Sequence, residues 1–244
     1  MAIDAVIFDW GGTLTPWATI DYREEWRTVA RVVAPDDVET ATTALLEAAD
    51  QVWARSRDEH LSATFEEICA LSGHPATLEA AEAYRAFWEP ATVTDPEVHA
   101  LFARLRAAGV KVGVLSNTVW PRDWHEAIFV RDGVHGLIDG DVYTSEIEWT
   151  KPHEQAFAAA MAAVGAEDPG RCVFVGDRLF DDIWGASSVG MRTIHVPHSA
   201  IPPDQAGHSI GEPDAVVQRL SEVAEVVEDW HDVRRSTRRG PHNA

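Results

Sequence analysis

Four short runs rich in valine and isoleucine constrain this chain more than any other feature: "AVIFD" at 5–9, "KVGVLSN" at 111–117, "CVFVGD" at 172–177 and "RTIHV" at 192–196. Each is apolar almost throughout rather than alternating, the pattern of a strand buried on both faces, and such strands belong to parallel sheets covered by helices. "DVYTS" at 141–145 is a weaker fifth run. Helical patterns lie between them. "PEVHALFARLRAAG" at 96–109 and "HEQAFAAAMAAVG" at 153–165 each end on a glycine suited to a helix C-terminus, and "DDIWGASSVG" follows the third strong run. The alternation predicts an α/β fold with a doubly wound, Rossmann-like parallel sheet.

The stretch from 17 to 89 differs in kind. It is nearly all helical in character, as in "YREEWRTVARVV", "DVETATTALLEAADQVWARSR" and "TLEAAEAYRAFWEP", with loop signals at "APDD" and "SGHP". A helical block inserted after the first strand predicts a cap over one edge of the sheet. The expected division is a core of 1–16 and 90–230, a cap of 17–89 and an arginine-rich, disordered tail of 231–244. Within the core, 199–213 reads as a surface loop and "DAVVQRLSEVAEVVEDW" as a closing helix.

A formal charge of −20 argues against nucleic acid or an anionic membrane as a partner, since both would repel such a surface. The two cysteines, Cys69 and Cys172, lie far apart and suggest neither a disulfide framework nor a zinc site. No apolar run approaches the ~18 residues of a membrane span, and the acidic start lacks the basic segment of a signal peptide. These features predict a cytoplasmic protein; oligomeric state is not encoded in any of them.

Ligands of doubly wound sheets bind beyond the carboxyl ends of the strands. The residues at those ends are Asp9, followed by Trp10, Gly11 and Thr13; Ser116 and Asn117; Lys151 after the weak run; and Asp177 with Asp181 and Asp182. Carboxylates gathered there would repel one another, and a hard divalent ion bound through oxygen, Mg²⁺ above all, is the natural compensation. A lysine and a serine hydroxyl opposite would hold an anion. That set fits phosphoryl transfer, in which a carboxylate attacks while cations clamp the moving group.

These residues carry a recognisable pattern. "VIFDWGGTL", "VGVLSN", "TKPHEQAF" and "VFVGDRLFDDIWGA" match, in order, the four motifs of the haloacid dehalogenase-like (HAD) hydrolase superfamily, which the chain resembles over nearly its whole length. The resemblance implies that Asp9 is a nucleophile forming an aspartyl-phosphate. It implies that Ser116 and Lys151 hold the phosphoryl oxygens of a small phosphorylated substrate, with Asn117, Thr13 and Trp10 beside them. Asp9, the Gly11 carbonyl, Asp177 and Asp182 would then ligate Mg²⁺, and the block at 17–89 would be the substrate-selecting cap.

Gly11 departs from the pattern. Family phosphatases carry there a second aspartate that protonates the leaving group and later activates water, and loss of such an acid–base costs ~10²–10⁴ in rate. Asp21 and His125 are the substitutes suggested by proximity in sequence. A phosphonatase would need a cap lysine, but Lys111 and Lys151 are the chain's lysines. A metal-free 2-haloacid dehalogenase would need a cap arginine, for which Arg23 and Arg27 stand available, and a non-catalytic member binding a phosphorylated ligand or a partner protein is the other alternative. Of ten tryptophans, Trp10, Trp17, Trp120, Trp124, Trp149 and Trp184 fall near loop ends. They either pack cap against core or, for Trp10 and its neighbours, line a pocket for an aromatic or apolar leaving group that departs without an acid.

Overall fold

The structure, a computed structural model, describes residues 2–201 and 208–237. Six strands, β1 Ala5–Phe8, β2 Lys111–Ser116, β3 Gly140–Tyr143, β4 Cys172–Gly176, β5 Arg192–His195 and β6 Ala215–Val216, form one sheet in the order β3-β2-β1-β4-β5-β6. Every pairing is parallel. The doubly wound sheet read from the apolar runs is therefore the one the chain forms. Both neighbours of β1 are in matched register, Phe8 lying opposite Val114 and Val175, so Asp9 leaves the sheet level with the ends of β2 and β4.

Alternate residues of β1 feed two cores. Val6 and Phe8 join a cluster with Phe102 and Leu105 of α5 (Val98–Ala107), Phe129 of α6 (Arg122–Arg131) and Val227 of α9 (Val223–Thr237). Ala5 and Ile7 face Ala156, Phe157 and Ala160 of α7 (Glu154–Ala163). With both faces covered, every β1 residue is fully buried, which is why the run reads as continuously apolar.

Helices α1 Tyr22–Val33, α2 Val38–Glu59, α3 Phe65–Leu71 and α4 Leu78–Trp88 make up the block between β1 and α5. The Asp21 side chain accepts the N–H groups of Arg23 and Glu24 and so starts α1. Trp26, Val29, Leu45, Phe65, Ile68 and Tyr84 of the block belong to the same hydrophobic cluster as Phe8 and Val114. Trp10, Trp120 and Trp124 make the join: ring centroids are 5.5 Å apart for Trp10 and Trp120, 5.7 Å for Trp120 and Trp124, and 5.9 Å for Phe65 and Trp124. These tryptophans pack the block onto the sheet.

Several elements differ from the sequence reading. Residues 214–230 are not one helix: Ala215–Val216 adds β6 beside β5, and α9 starts only at Val223. Asp214 explains the break, since its carboxylate accepts the Thr193 N–H at 2.8 Å and pins that segment to the sheet edge. The last helix runs to Thr237, past the boundary expected at 230 and into the segment read as a disordered tail, while 238–244, like 202–207 of the expected loop, lie outside the described residues. "DDIWGASSVG" belongs to a π-helical turn over Leu179–Trp184 that continues into α8, Gly185–Ser188. Among the described residues no helix is long and apolar enough to cross a membrane.

Candidate active site

At the end of β1 the chain turns sharply. Gly12 adopts φ +89°, its N–H donating to the Thr15 carbonyl at 2.7 Å while the Thr15 N–H returns to Trp10 O at 3.0 Å. A Cβ on Gly12 would lie 2.2 Å from Trp17 Nε1 and 2.4 Å from Asp177 Oδ2, so only glycine lets these approach. Gly176, ending β4, serves likewise: a Cβ there would lie 2.3 Å from Asp182 Oδ2. The π-helical turn brings Asp182 back over the strand end, and its Oδ2 accepts the Arg178 N–H at 2.9 Å.

Asp9, Asp177 and Asp182 are thereby gathered, each nine-tenths or more buried, with one carboxylate oxygen from each lying within 4.8 Å of the others. Lys151 Nζ donates to Asp9 Oδ1 at 2.5 Å and to Asp182 Oδ1 at 2.7 Å. Among the described residues no cation is bonded to Asp177. Its Oδ2 accepts the Trp17 indole N–H at 2.6 Å, its Oδ1 the Thr13 hydroxyl at 3.5 Å, and its backbone carbonyl the His195 Nε2–H at 2.9 Å.

The charges do not balance. Burial pushes Asp9 up to about 6, opposed by Lys151 and reinforced by Asp182. Burial, then the charges of Asp9 and Asp182, push Asp177 up to about 8. Burial works against the charged form of Lys151, yet Asp182 and Asp9 hold it above the ordinary lysine value. Three buried carboxyl groups thus face one bonded ammonium, and their mutual repulsion favours protonation or a further cation.

A profile of haloacid dehalogenase-like hydrolases matches residues 3–190. The chain belongs to the haloacid dehalogenase-like hydrolase family. Among curated proteins it is similar to the glyceraldehyde 3-phosphate phosphatase of Methanopyrus kandleri, 30% identical over 134 residues that cover 55% of this chain and 56% of that one. To its namesake in Methanothermobacter thermautotrophicus it is 33% identical over 101 residues, covering 41% and 43%. The matches thus span about half the length of these relatives. Among solved structures, a 2-haloacid dehalogenase from Pseudomonas syringae pv. Tomato superposes with TM-score 0.65 at 23% identity, covering 93% of this chain and 99% of that one. A HAD phosphatase from Thermococcus onnurineus gives 0.60 at 20%, covering 92% and 98%. Phosphatases and dehalogenases of the family share this fold.

Against the family pattern, the residues read from sequence fall as follows. Ser116 is buried at the end of β2. Asn117 turns back on the lysine loop, its Nδ2 donating to Lys151 O at 3.0 Å and its Oδ1 accepting Lys151 N–H at 2.8 Å, so it sets the lysine's backbone rather than facing outward. Trp10 is 8% exposed and packs edge-on against His125. Asp181 sits beside Arg178, 3.6 Å away.

The proposed substitutes for the missing acid are engaged elsewhere. Asp21 caps α1, and His125, fully buried and stacked on Tyr143, is pushed down to about 3 by burial and then by Arg122. Arg23 and Arg27 pair with Glu39, and Arg27 also with Glu24, on the outer surface of the helical block. Sequence reasoning missed the placement of Trp17, and did not single out Arg178, whose guanidinium lies 5.1 Å from the Trp17 ring.

An all-oxygen donor set of three carboxylates suits a hard divalent cation. The residues present fit one: a neutral indole N–H orients Asp177, and burial, with the neighbouring carboxylates, holds Asp9 and Asp177 above the carboxylate range, a cost that a cation between them would offset.

Proposed function

We propose that the protein is a Mg²⁺-dependent phosphohydrolase acting on a small phosphorylated metabolite. The observation that carries this reading is the buried trio Asp9, Asp177 and Asp182 with Lys151 bonded to two of them, at the carboxyl ends of parallel strands. Asp9, Asp177, Asp182 and the Gly11 carbonyl would hold the ion. When bound, Mg²⁺ neutralises the carboxylates and the charge that develops on the transferring phosphoryl group.

An Asp9 oxygen attacks phosphorus, the bond from phosphorus to the substrate oxygen breaks, and that oxygen leaves with the electron pair. Lys151 and Ser116 hold the phosphoryl oxygens in line. Water then attacks the phosphorus of the aspartyl-phosphate, releasing phosphate and restoring the carboxylate of Asp9. Gly11 offers no proton to the departing oxygen, so substrates with an acidic leaving group turn over fastest. The helical block of 17–89 acts as the cap that screens the reaction, and its packing through Trp10, Trp120 and Trp124 makes an apolar wall on that side. The archaeal phosphatase relatives support a phosphoryl substrate over a haloacid.

Phosphate release from an aryl phosphate and an alkyl phosphate, with Mg²⁺ and with EDTA, tests the reading in the wild type and Asp9→Asn. Mg²⁺-dependent aryl turnover that disappears in Asp9→Asn is expected. Halide release from 2-chloropropionate that survives EDTA, without phosphate release, would overturn it.

A further inference from the structure

Trp17 stands in the connection between β1 and α1, yet its side chain reaches into the carboxylate cluster. Its indole N–H donates to Asp177 Oδ2 at 2.6 Å, while its backbone N–H donates to Ser199 Oγ at 3.2 Å and Ser199 Oγ donates in turn to Gly12 O at 3.2 Å. The indole is thus held from both ends. The Arg178 guanidinium flanks its ring, and the bare Cα of Gly12 leaves the space that the contact needs.

The chemistry of the partner matters. Asp9 and Asp182 are each bonded through one oxygen to an ammonium, whereas Asp177 is oriented by a neutral N–H that brings no charge of its own to the cluster. With Oδ2 tied, rotation of the carboxylate is blocked, and the thermal freedom that a cation would otherwise have to remove is already gone. We propose that Trp17 is a positioning residue of the cation site, fixing Asp177 as a preset ligand. This inference rests on the cation reading of the cluster.

Isothermal titration of the metal-free full chain with MgCl₂ tests it, with no substrate present. Two variants remove the N–H: Trp17→Phe, and replacement of Trp17 by β-(3-benzothienyl)alanine, which keeps the two-ring shape and exchanges N–H for sulfur. Should the phenylalanine variant not fold, the isosteric one decides. Loss of a hydrogen bond that orients a metal ligand costs about 10–100-fold in affinity, and that weakening is expected in each folded variant, with Trp53→Phe on the outer face of α2 unchanged. Affinity unchanged or tightened in the isosteric variant, with normal binding by the wild type, overturns the role of Trp17 alone. A wild type that takes up no Mg²⁺ overturns the cation reading and this inference with it.

Discussion

Asn117 and Lys151 are joined by a reciprocal pair of hydrogen bonds, side chain of one to backbone of the other, at 3.0 and 2.8 Å. The amide of Asn117 thereby sets the loop from which the Lys151 side chain enters the carboxylate cluster. Removing it in Asn117→Ala leaves two backbone groups without partners, and at about 0.5–1.5 kcal/mol per bond the expected loss is about 1–3 kcal/mol. Urea unfolding measures that loss. Turnover should fall more through kcat than through KM, because the lysine clamp rather than general binding is disturbed.

Gly11 can accept a side chain. A Cβ there meets nothing within 4 Å, unlike those on Gly12 and Gly176. Gly11→Asp should therefore fold normally and, on the proposed mechanism, place a carboxyl group beside the leaving oxygen. Alkyl phosphate turnover is expected to rise on the order of 10²-fold while aryl turnover changes little, since an acid helps only poor leaving groups. Equal effects on both substrates would show that leaving-group protonation does not limit the rate.

Stability should depend on pH in a direction set by the cluster. Asp9 and Asp177 have folded-state values raised to about 6 and about 8, against about 4 when unfolded. Their contribution is full below pH ~4 and is lost as pH rises through ~6 and ~8, because the unfolded chain releases protons that the folded one retains. Glu97 and Asp132, held down to about 2 by Arg219 and Arg131, act oppositely but only below pH ~4.5. Thermal melts in EDTA should therefore show Tm falling from pH 5 to pH 8. Added Mg²⁺ should restore more at pH 8, where its ligands are ionised, than at pH 5.

Lys151 holds two of the three buried carboxylates together. Lys151→Met keeps most of the stem and removes the charge, leaving Asp9 and Asp182 buried without a cation. Breaking a buried ion pair from one side costs about 3–5 kcal/mol. The loss should be larger at pH 8 than at pH 5, where Asp9 can take a proton instead, and denaturant curves at the two pH values test the difference. Mg²⁺ should recover part of the stability, since it brings charge to the same carboxylates.

The fold was legible because its signal is local. A strand covered on both faces must be apolar at every position, so "AVIFD" and "CVFVGD" declared a parallel sheet, and their carboxyl ends marked Asp9 and Asp177 as neighbours before any contact was known. The helices of the 17–89 block announced themselves by period in the same way, as α1 and α4 show. Local pattern failed where a partner elsewhere decides: β6 forms because Asp214 bonds Thr193, and Asn117 turns inward because the Lys151 backbone is there to meet it. Nor could proximity in sequence find a substitute acid, since Asp21 is taken by a helix start and His125 by the core. By itself the sequence determined which residues stand at the strand ends and how much charge gathers there. Only the tertiary structure decided which of those charges are paired, because the partners of a carboxylate such as Asp177, with Trp17 at a separation of 160 residues, are fixed by packing and leave no periodic trace along the chain.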